Sequence, residues 1–183
     1  RGVMSTYMGE LSVSPAVSVI LPVLNEEAHL EESILAILAQ DYRGLFEVIL
    51  ALGPSQDRTD EIAKSLSARD PRVKLVANPT GKTAAGLNLA VAASNHPIVV
   101  RVDGHAKIPQ NYLTLAVEIL EQTGAVNVGG VMAAEGISNF EKAVARAMRS
   151  PLGVGASRFH TGGAAGEVDT VYLGAFKRDA INQ

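Results

Sequence analysis

Ile98-Val99-Val100-Arg101-Val102-Asp103-Gly104-His105 is the stretch on which the reading of this chain turns. A mostly apolar run ends in an acid, a glycine and a histidine. If Ile98 to Asp103 is a buried parallel strand, the triplet lies at its carboxyl end, where ligands gather in open α/β sheets. Extended backbone would send the Asp103 and His105 side chains out on the same face. An oxygen and a nitrogen donor could then meet one divalent cation. The intervening glycine keeps side-chain bulk away from whatever approaches. The other reading of the triplet is a β-turn with Asp103 as its turn former.

Working outward, the apolar runs alternate with helical spacing. Val17 to Val23 reads as a strand, and Leu30, Ile34, Ile37 and Leu38 recur at the period of a helix. Phe46 to Leu52 is a second strand, broken by Gly53-Pro54-Ser55. Asp57 and Asp60 can cap a helix running to Arg69. Val73 to Val76 is a third strand, and Lys82 to Ala93 an Ala/Leu helix before the strand at Ile98. A β-α-β-α-β-α-β order with about 25 to 30 residues per unit is the pattern of a doubly wound α/β sheet with helices on both faces. Pro109 to Gln122 reads as a further helix, Ala125 to Met132 as a strand and Ser138 to Arg149 as an amphipathic helix. Pro151 to Gly166 holds five glycines and reads as a long, flexible loop of the kind that is often functional. Glu167 to Leu173 is the last expected strand.

Composition narrows the classes. The chain has 183 residues, 47% of them hydrophobic, with few aromatics and no Trp, so an aliphatic core of one domain is expected. A net charge of −3 argues against a nucleic-acid binder that works through bulk positive charge. The absence of Cys excludes disulfides and thiolate zinc sites, and fits a reducing compartment. No run of about 18 apolar residues could span a bilayer. Residues 1–15 lack periodicity and the form of a signal peptide, and read as a flexible arm ahead of a domain over 16–183. The chain stops soon after its last strand-like segment, so a C-terminally truncated domain is expected.

Several chemical motifs fail. Gly81-Lys82-Thr83 resembles the end of a P-loop, but Val76 stands where its first glycine is needed. There is no G-x-G-x-x-G after the first strand, and neither H-E-x-x-H nor G-x-S-x-G occurs. The loop Leu21-Pro22-Val23-Leu24-Asn25-Glu26-Glu27 remains, at another carboxyl strand end. By itself it reads as a helix start with Asn25 as cap and two acids on the dipole. Lys82 opens a helix whose N-terminus can receive an anion, or is a solvated lysine. Asn88 either faces a ligand cleft or is exposed. His29 and His96 read as structural or solvated, while His160 is an outside candidate for a ligand contact.

Taken together, these segments resemble the family 2 glycosyltransferases of the GT-A fold, from Val17 to the C-terminus. The resemblance rests on Val19 to Glu26, on Glu47 to Leu50 with Ser55-Gln56-Asp57-Arg58-Thr59, on Asn78 with Gly81 to Asn88, and on Val99 to His105, in that order and spacing. Ala51 to Ser55, Asp103-Gly104-His105 and Val168 to Phe176 look most like the bacterial succinoglycan-biosynthesis type. The implied fold is a Rossmann-like three-layer α/β/α nucleotide-diphospho-sugar transferase with a mostly parallel sheet. The implied activity is transfer of a sugar, with inversion, from a UDP or GDP sugar to a saccharide or lipid-linked acceptor in polysaccharide or envelope glycan synthesis. Pro22, Val23, Asn25, Glu26, Leu52, Lys82, Asn88, Arg101, Val102 and Asp103 would line the donor. Asp103 and His105 would face Mg²⁺ or Mn²⁺ on the diphosphate, offsetting charge on the leaving nucleotide.

The sequence departs from the family pattern in three places. Leu52 stands where an acid usually reads the base. His105 replaces the second acid of Asp-x-Asp, as a softer ligand that also suits Mn²⁺. The usual Glu-Asp segment carrying the catalytic base is not evident, and Asp169 is the one candidate for it. The expected location is the cytoplasm, at the inner membrane face where family members of this type often carry membrane helices after the catalytic domain. A nucleotidyltransferase and a non-catalytic nucleotide-binding or interaction module of the same fold are the alternatives.

Overall fold

A computed structural model describes residues 14–130 and 172–181. The first strand, β1 (Val17–Val23), is buried along nearly all its length. It is flanked by β2 (Phe46–Leu52), which pairs in parallel from Val17↔Phe46 to Val23↔Leu52, and by β4 (Ile98–Arg101), also parallel. Beyond β2 lies β3 (Val73–Ala77), and beyond β4 lie β6 (Tyr172–Lys177) and β5 (Asn127–Gly130). The order across the six-stranded sheet is β3-β2-β1-β4-β6-β5, with β6 antiparallel to both of its neighbours. The mostly parallel sheet is therefore as expected, closed by an antiparallel pair.

Helices cover both faces. Alternation along β1 sends Val17, Val19, Leu21 and Val23 into one core with Val48, Leu50 and Val100. Leu30, Ile34 and Ile37 of α1 (Leu30–Leu38), Ala63 and Leu66 of α2 (Thr59–Arg69), and Leu113, Val117 and Leu120 of α4 (Tyr112–Thr123) close that side. Ile20, Ile49, Ala51 and Val99 point the other way and meet Ala90 of α3 (Thr83–Ala93). The near-continuous apolar strands follow from burial on both faces. No helix among the described residues is long and apolar enough to cross a membrane.

Several expected boundaries move, for reasons of pairing rather than composition. The strand at Ile98 ends at Arg101, because the chain turns after Val102. Of the strand expected over Glu167 to Leu173, residues 167–171 lie outside the described residues; the described strand runs on from Tyr172 to Lys177, its end set by the ladder Ile98↔Lys177, Val99↔Phe176 and Val100↔Ala175. The helix expected from Pro109 begins at Tyr112, after a turn in which the Pro109 carbonyl accepts the Tyr112 amide. The segments Ser138 to Arg149 and Pro151 to Gly166, with His160 and Asp169, lie outside the described residues.

Two polar clusters hold the amino edge of the sheet. Buried Glu47 accepts hydrogen bonds from the Ser18 hydroxyl at 2.7 Å, Lys74 Nζ at 2.6 Å and the Asn95 amide at 3.2 Å. Burial alone would raise its pKa, but the bonds from Lys74, Ser18 and Asn95 outweigh it and hold the carboxyl below its ordinary value. Arg178 opens the terminal helix α5 (Arg178–Ile181) and ties β6 to the end of α3. Its guanidinium donates to the His96 carbonyl at 2.7 Å and to the Ser94 hydroxyl at 2.6 Å. It supplies the cation that α3 lacks in its own last turn. His96 is accordingly structural, its backbone amide donating to Ser18 and its ring 3.9 Å from Glu47.

Because the folded Glu47 carboxyl titrates below its unfolded value, its stabilisation is present above the ordinary glutamate pKa and is lost as pH falls through the folded value. Glu47→Gln is expected to cost about 1–3 kcal/mol at neutral pH. It should also flatten the fall of melting temperature below about pH 4. Thermal unfolding of both proteins from pH 3 to 7 checks this, and parallel curves would rule out the charge as the cause.

Candidate functional site

The strand order places a topological switch point between β1 and β4. From β1 the chain leaves toward β2, and from β3 it returns under the opposite face to β4. The loops after β1 and β4 therefore part at the carboxyl edge, which is where doubly wound sheets bind ligands. Both segments singled out from the sequence lie at this crevice.

Asp103-Gly104-His105 does not continue the strand, so the shared face expected of extended backbone is not how its side chains are arranged. The Asp103 carbonyl accepts the Ala106 amide at 2.9 Å, closing a turn. Asp103 Oδ1 lies 3.2 Å from both Nε and Nη2 of Arg101. His105 Nδ1 lies 3.0 Å from Oε1 of Glu26, across the switch point. The His105 side chain is 58% exposed, whereas that of Glu26 is 19% exposed. Gly104 is buried beneath Glu26: a Cβ there would stand 3.1 Å from Glu26 Cγ. What the glycine admits is the Glu26 side chain on its way to His105.

The β1 loop is held by the β2 loop through reciprocal bonds. The amides of Asn25, Glu26 and Glu27 donate to Ser55 Oγ at 3.1 Å, Thr59 Oγ1 at 2.8 Å and Asp57 Oδ2 at 3.1 Å. In return, the amides of Gln56 and Arg58 donate to Asn25 Oδ1 at 2.8 Å and Glu27 Oε2 at 3.1 Å. Asn25 takes a left-handed backbone with φ 54°, a conformation Asn tolerates better than most residues. It does not cap α1, whose cap position is His29 with no side-chain bond. Asp57 does hold the start of α2, accepting the Thr59 amide and hydroxyl. The hydroxyl bond, against a smaller desolvation effect, and the amides of Thr59 and Glu27 keep the Asp57 carboxyl below its ordinary pKa.

The remaining candidates divide by burial. The side chains of Val23 and Val102 are in the core, so only their backbone can face a ligand. Pro22 and Leu52 are half-buried, and the Leu52 carbonyl accepts the Asn78 amide at 2.8 Å. Lys82 is exposed at the cap position of α3, and Asn88 is exposed on that helix. Asn78, quoted in the sequence for its spacing alone, is 2% exposed and organises the loop before α3. It donates to the Lys82 carbonyl at 3.1 Å and accepts from the Thr80 hydroxyl at 3.0 Å. The bonds of Ser55, Asp57 and Thr59 to the β1 loop could not be read from the sequence, because their partners lie some thirty residues away. Among the described residues, no three His, Asp or Glu side chains gather around one point to form a complete metal cage.

A family profile described as Glycosyl transferase family 2 matches residues 18–183, and the chain belongs to that family. Its sheet and helices are those of a GT-A glycosyltransferase. Among curated relatives, succinoglycan biosynthesis protein ExoA of Rhizobium meliloti is 37% identical over 146 residues, covering 79% of this chain and 44% of that protein. Glycosyltransferase AglE of Haloferax volcanii is 33% identical over 121 residues, covering 65% of this chain and 40% of that protein. The chain thus spans less than half the length of these relatives. Among solved structures, the mannosyltransferase PcManGT from Pyrobaculum calidifontis, in complex with GDP-Man and Mn²⁺, superposes with a TM-score of 0.65. It is 25% identical, and the match covers 93% of this chain and 48% of that one. S. aureus TarS 1–349 shares the fold, with a TM-score of 0.69 at 19% identity over 91% of this chain and 48% of its own.

Gly104→Ala tests the crossing of the switch point. The added methyl meets Glu26 Cγ at 3.1 Å, so Glu26 must shift. The expected cost is about 1 kcal/mol, with a displaced His105 ring resonance in a nitrogen-15 NMR spectrum. An unmoved resonance would mean that Glu26 does not depend on the glycine.

Proposed function

We propose that this domain binds a nucleotide-diphosphate sugar across the β1/β4 crevice and transfers the sugar to an acceptor hydroxyl with inversion. The observation that carries the reading is the Glu26–His105 contact across the switch point of a family 2 fold, with Asp103 two residues before His105 in the turn that follows β4. In the reaction, the acceptor oxygen attacks C1 of the sugar in line. The C1–O bond to the diphosphate breaks, the nucleoside diphosphate departs, and the acceptor proton passes to a base. The four carboxylates at this edge named above, Glu26, Glu27, Asp57 and Asp103, are each already engaged by a partner. We propose Asp169 as the base that takes that proton.

The donor set suits Mg²⁺ or Mn²⁺. Such ions are commonly held by one or two protein ligands with substrate phosphates completing the shell, so a complete protein cage is not required. With Nδ1 donating to Glu26, His105 keeps its Nε2 lone pair, the arrangement in which a carboxylate orients a metal-binding histidine. Asp103 and His105 Nε2 would hold the ion. When bound, it would neutralise charge on the leaving diphosphate. Arg101 shares Asp103 and would have to yield part of that contact. GDP-Man and Mn²⁺ in the mannosyltransferase neighbour, and the UDP of a TarS complex, support a UDP or GDP sugar as donor. The succinoglycan biosynthesis relative supports a role in exopolysaccharide synthesis; a saccharide or lipid-linked acceptor and a place at the cytoplasmic membrane face are part of the same proposal.

A nucleotidyltransferase fits less well. Such an enzyme needs free amides in the loop after β1 to cradle phosphates. Here the amides of Asn25, Glu26 and Glu27 are all taken by side chains of the neighbouring loop.

Calorimetric titration of UDP and GDP, with and without Mn²⁺, tests the reading. The expected outcome is metal-dependent binding of one nucleotide, weakened about tenfold or more in Asp103→Ala by loss of a charge-assisted contact. Absence of binding by either nucleotide, or an Asp103→Ala protein with unchanged metal dependence, would sink it.

A further inference from the structure

We infer that Ser55, Asp57 and Thr59 act as a brace that positions His105 from the far side of the switch point, through Glu26. The inference rests on the nucleotide-sugar reading above and adds residues to it that touch neither donor nor ion. The chain of contacts is continuous. Thr59 is fully buried, and its hydroxyl accepts the Glu26 amide at 2.8 Å while donating to Asp57 Oδ1. Glu26 Oε1 then meets His105 Nδ1 at 3.0 Å. Ser55 and Asp57 fix the amides on either side of Glu26.

Five bonds between residues 25–27 and 55–59 leave the Glu26 backbone little freedom. They also hold Asn25 in its left-handed conformation, its amide and its side-chain oxygen both bonded to the β2 loop. Glu26 carries its side chain over Gly104, where a larger residue would obstruct it. Held there, the carboxylate selects the His105 tautomer with its proton on Nδ1, so that Nε2 is the ligating atom. Ligand orientation through such an outer partner typically changes metal affinity by tens of times. The alternation Ser-x-Asp-x-Thr suits this task. Every second residue offers an oxygen acceptor to the β1 loop, while the amides of Gln56 and Arg58 between them donate back.

The test compares wild type, Thr59→Val, Thr59→Ser and Ser55→Ala. Mn²⁺ affinity is read by electron paramagnetic resonance with saturating UDP or GDP, and amide hydrogen exchange is followed at residues 25–27. Thr59→Val is expected to weaken Mn²⁺ binding about tenfold and to speed exchange at Glu26. Thr59→Ser should restore Mn²⁺ affinity. Ser55→Ala, at a more exposed position, should show the same changes to a smaller degree if Thr59→Val does not fold. A Thr59→Val protein with a lower melting temperature but unchanged Mn²⁺ affinity would overturn the inference and leave the donor reading intact. If wild type binds neither nucleotide, the donor reading itself fails, and the brace with it.

Discussion

Everything at the site depends on β1 being buried on both faces and paired on both edges. Val17, Val19 and Leu21 are inaccessible to solvent, and β2 and β4 satisfy the backbone on either side. An apolar strand in that position removes a large area from water, and its backbone is paired with β2 from Val17 to Val23 and with β4 from Val17 to Ile20. It also sets a geometric condition. The chain must leave β1 toward one edge of the sheet and return to the other, so the crossovers use opposite faces. The loops after β1 and β4 then diverge, and the gap between them is the site.

That gap is spanned by a short polar path rather than by apolar packing. Glu26 crosses it above Gly104 and meets His105, while the loop after β2 holds Glu26 from behind. Each of these bonds is worth little by itself, since a net hydrogen bond contributes about 1 kcal/mol. Their effect is to define one arrangement. With the amides of residues 25–27 committed to side chains, the loop loses its capacity to cradle an anion. The same commitments aim two side chains with great restriction. Polar structure at the amino edge serves another end: Glu47 and Arg178 fasten strands and helix without approaching the crevice.

Much of this was legible from residue pattern. Strands β1 and β2 were readable to the residue because they are apolar on both faces and bounded by turn formers. The helices followed from spacing, as with Leu30, Ile34 and Ile37. Boundaries set by pairing were not readable. The last strand ends where β4 can bond to it, and β4 stops at Arg101 although the next residue, Val102, is as apolar as Val99 and Val100. At the site, Asp103, His105 and Glu26 were identifiable by type and position at strand ends. Of the two geometries open for the triplet in the sequence, extended backbone and a turn, the turn is the one the chain takes. Val23 and Val102 were placed at the donor by the family resemblance; their side chains pack inward, which leaves only their backbone to face it.

The amino-acid sequence by itself determined the class of fold, the family, and which strand ends carry chemistry. Those properties are local: periodicity, turn chemistry and ordered motifs depend on residues close together in the chain. Only the tertiary structure decided that β1 and β4 are neighbours, that Gly104 makes room for Glu26, and that Thr59 supports the Glu26 backbone. Those contacts join residues separated by 33 to 81 positions. Their geometry is set by strand order and crossover face, which no local pattern records.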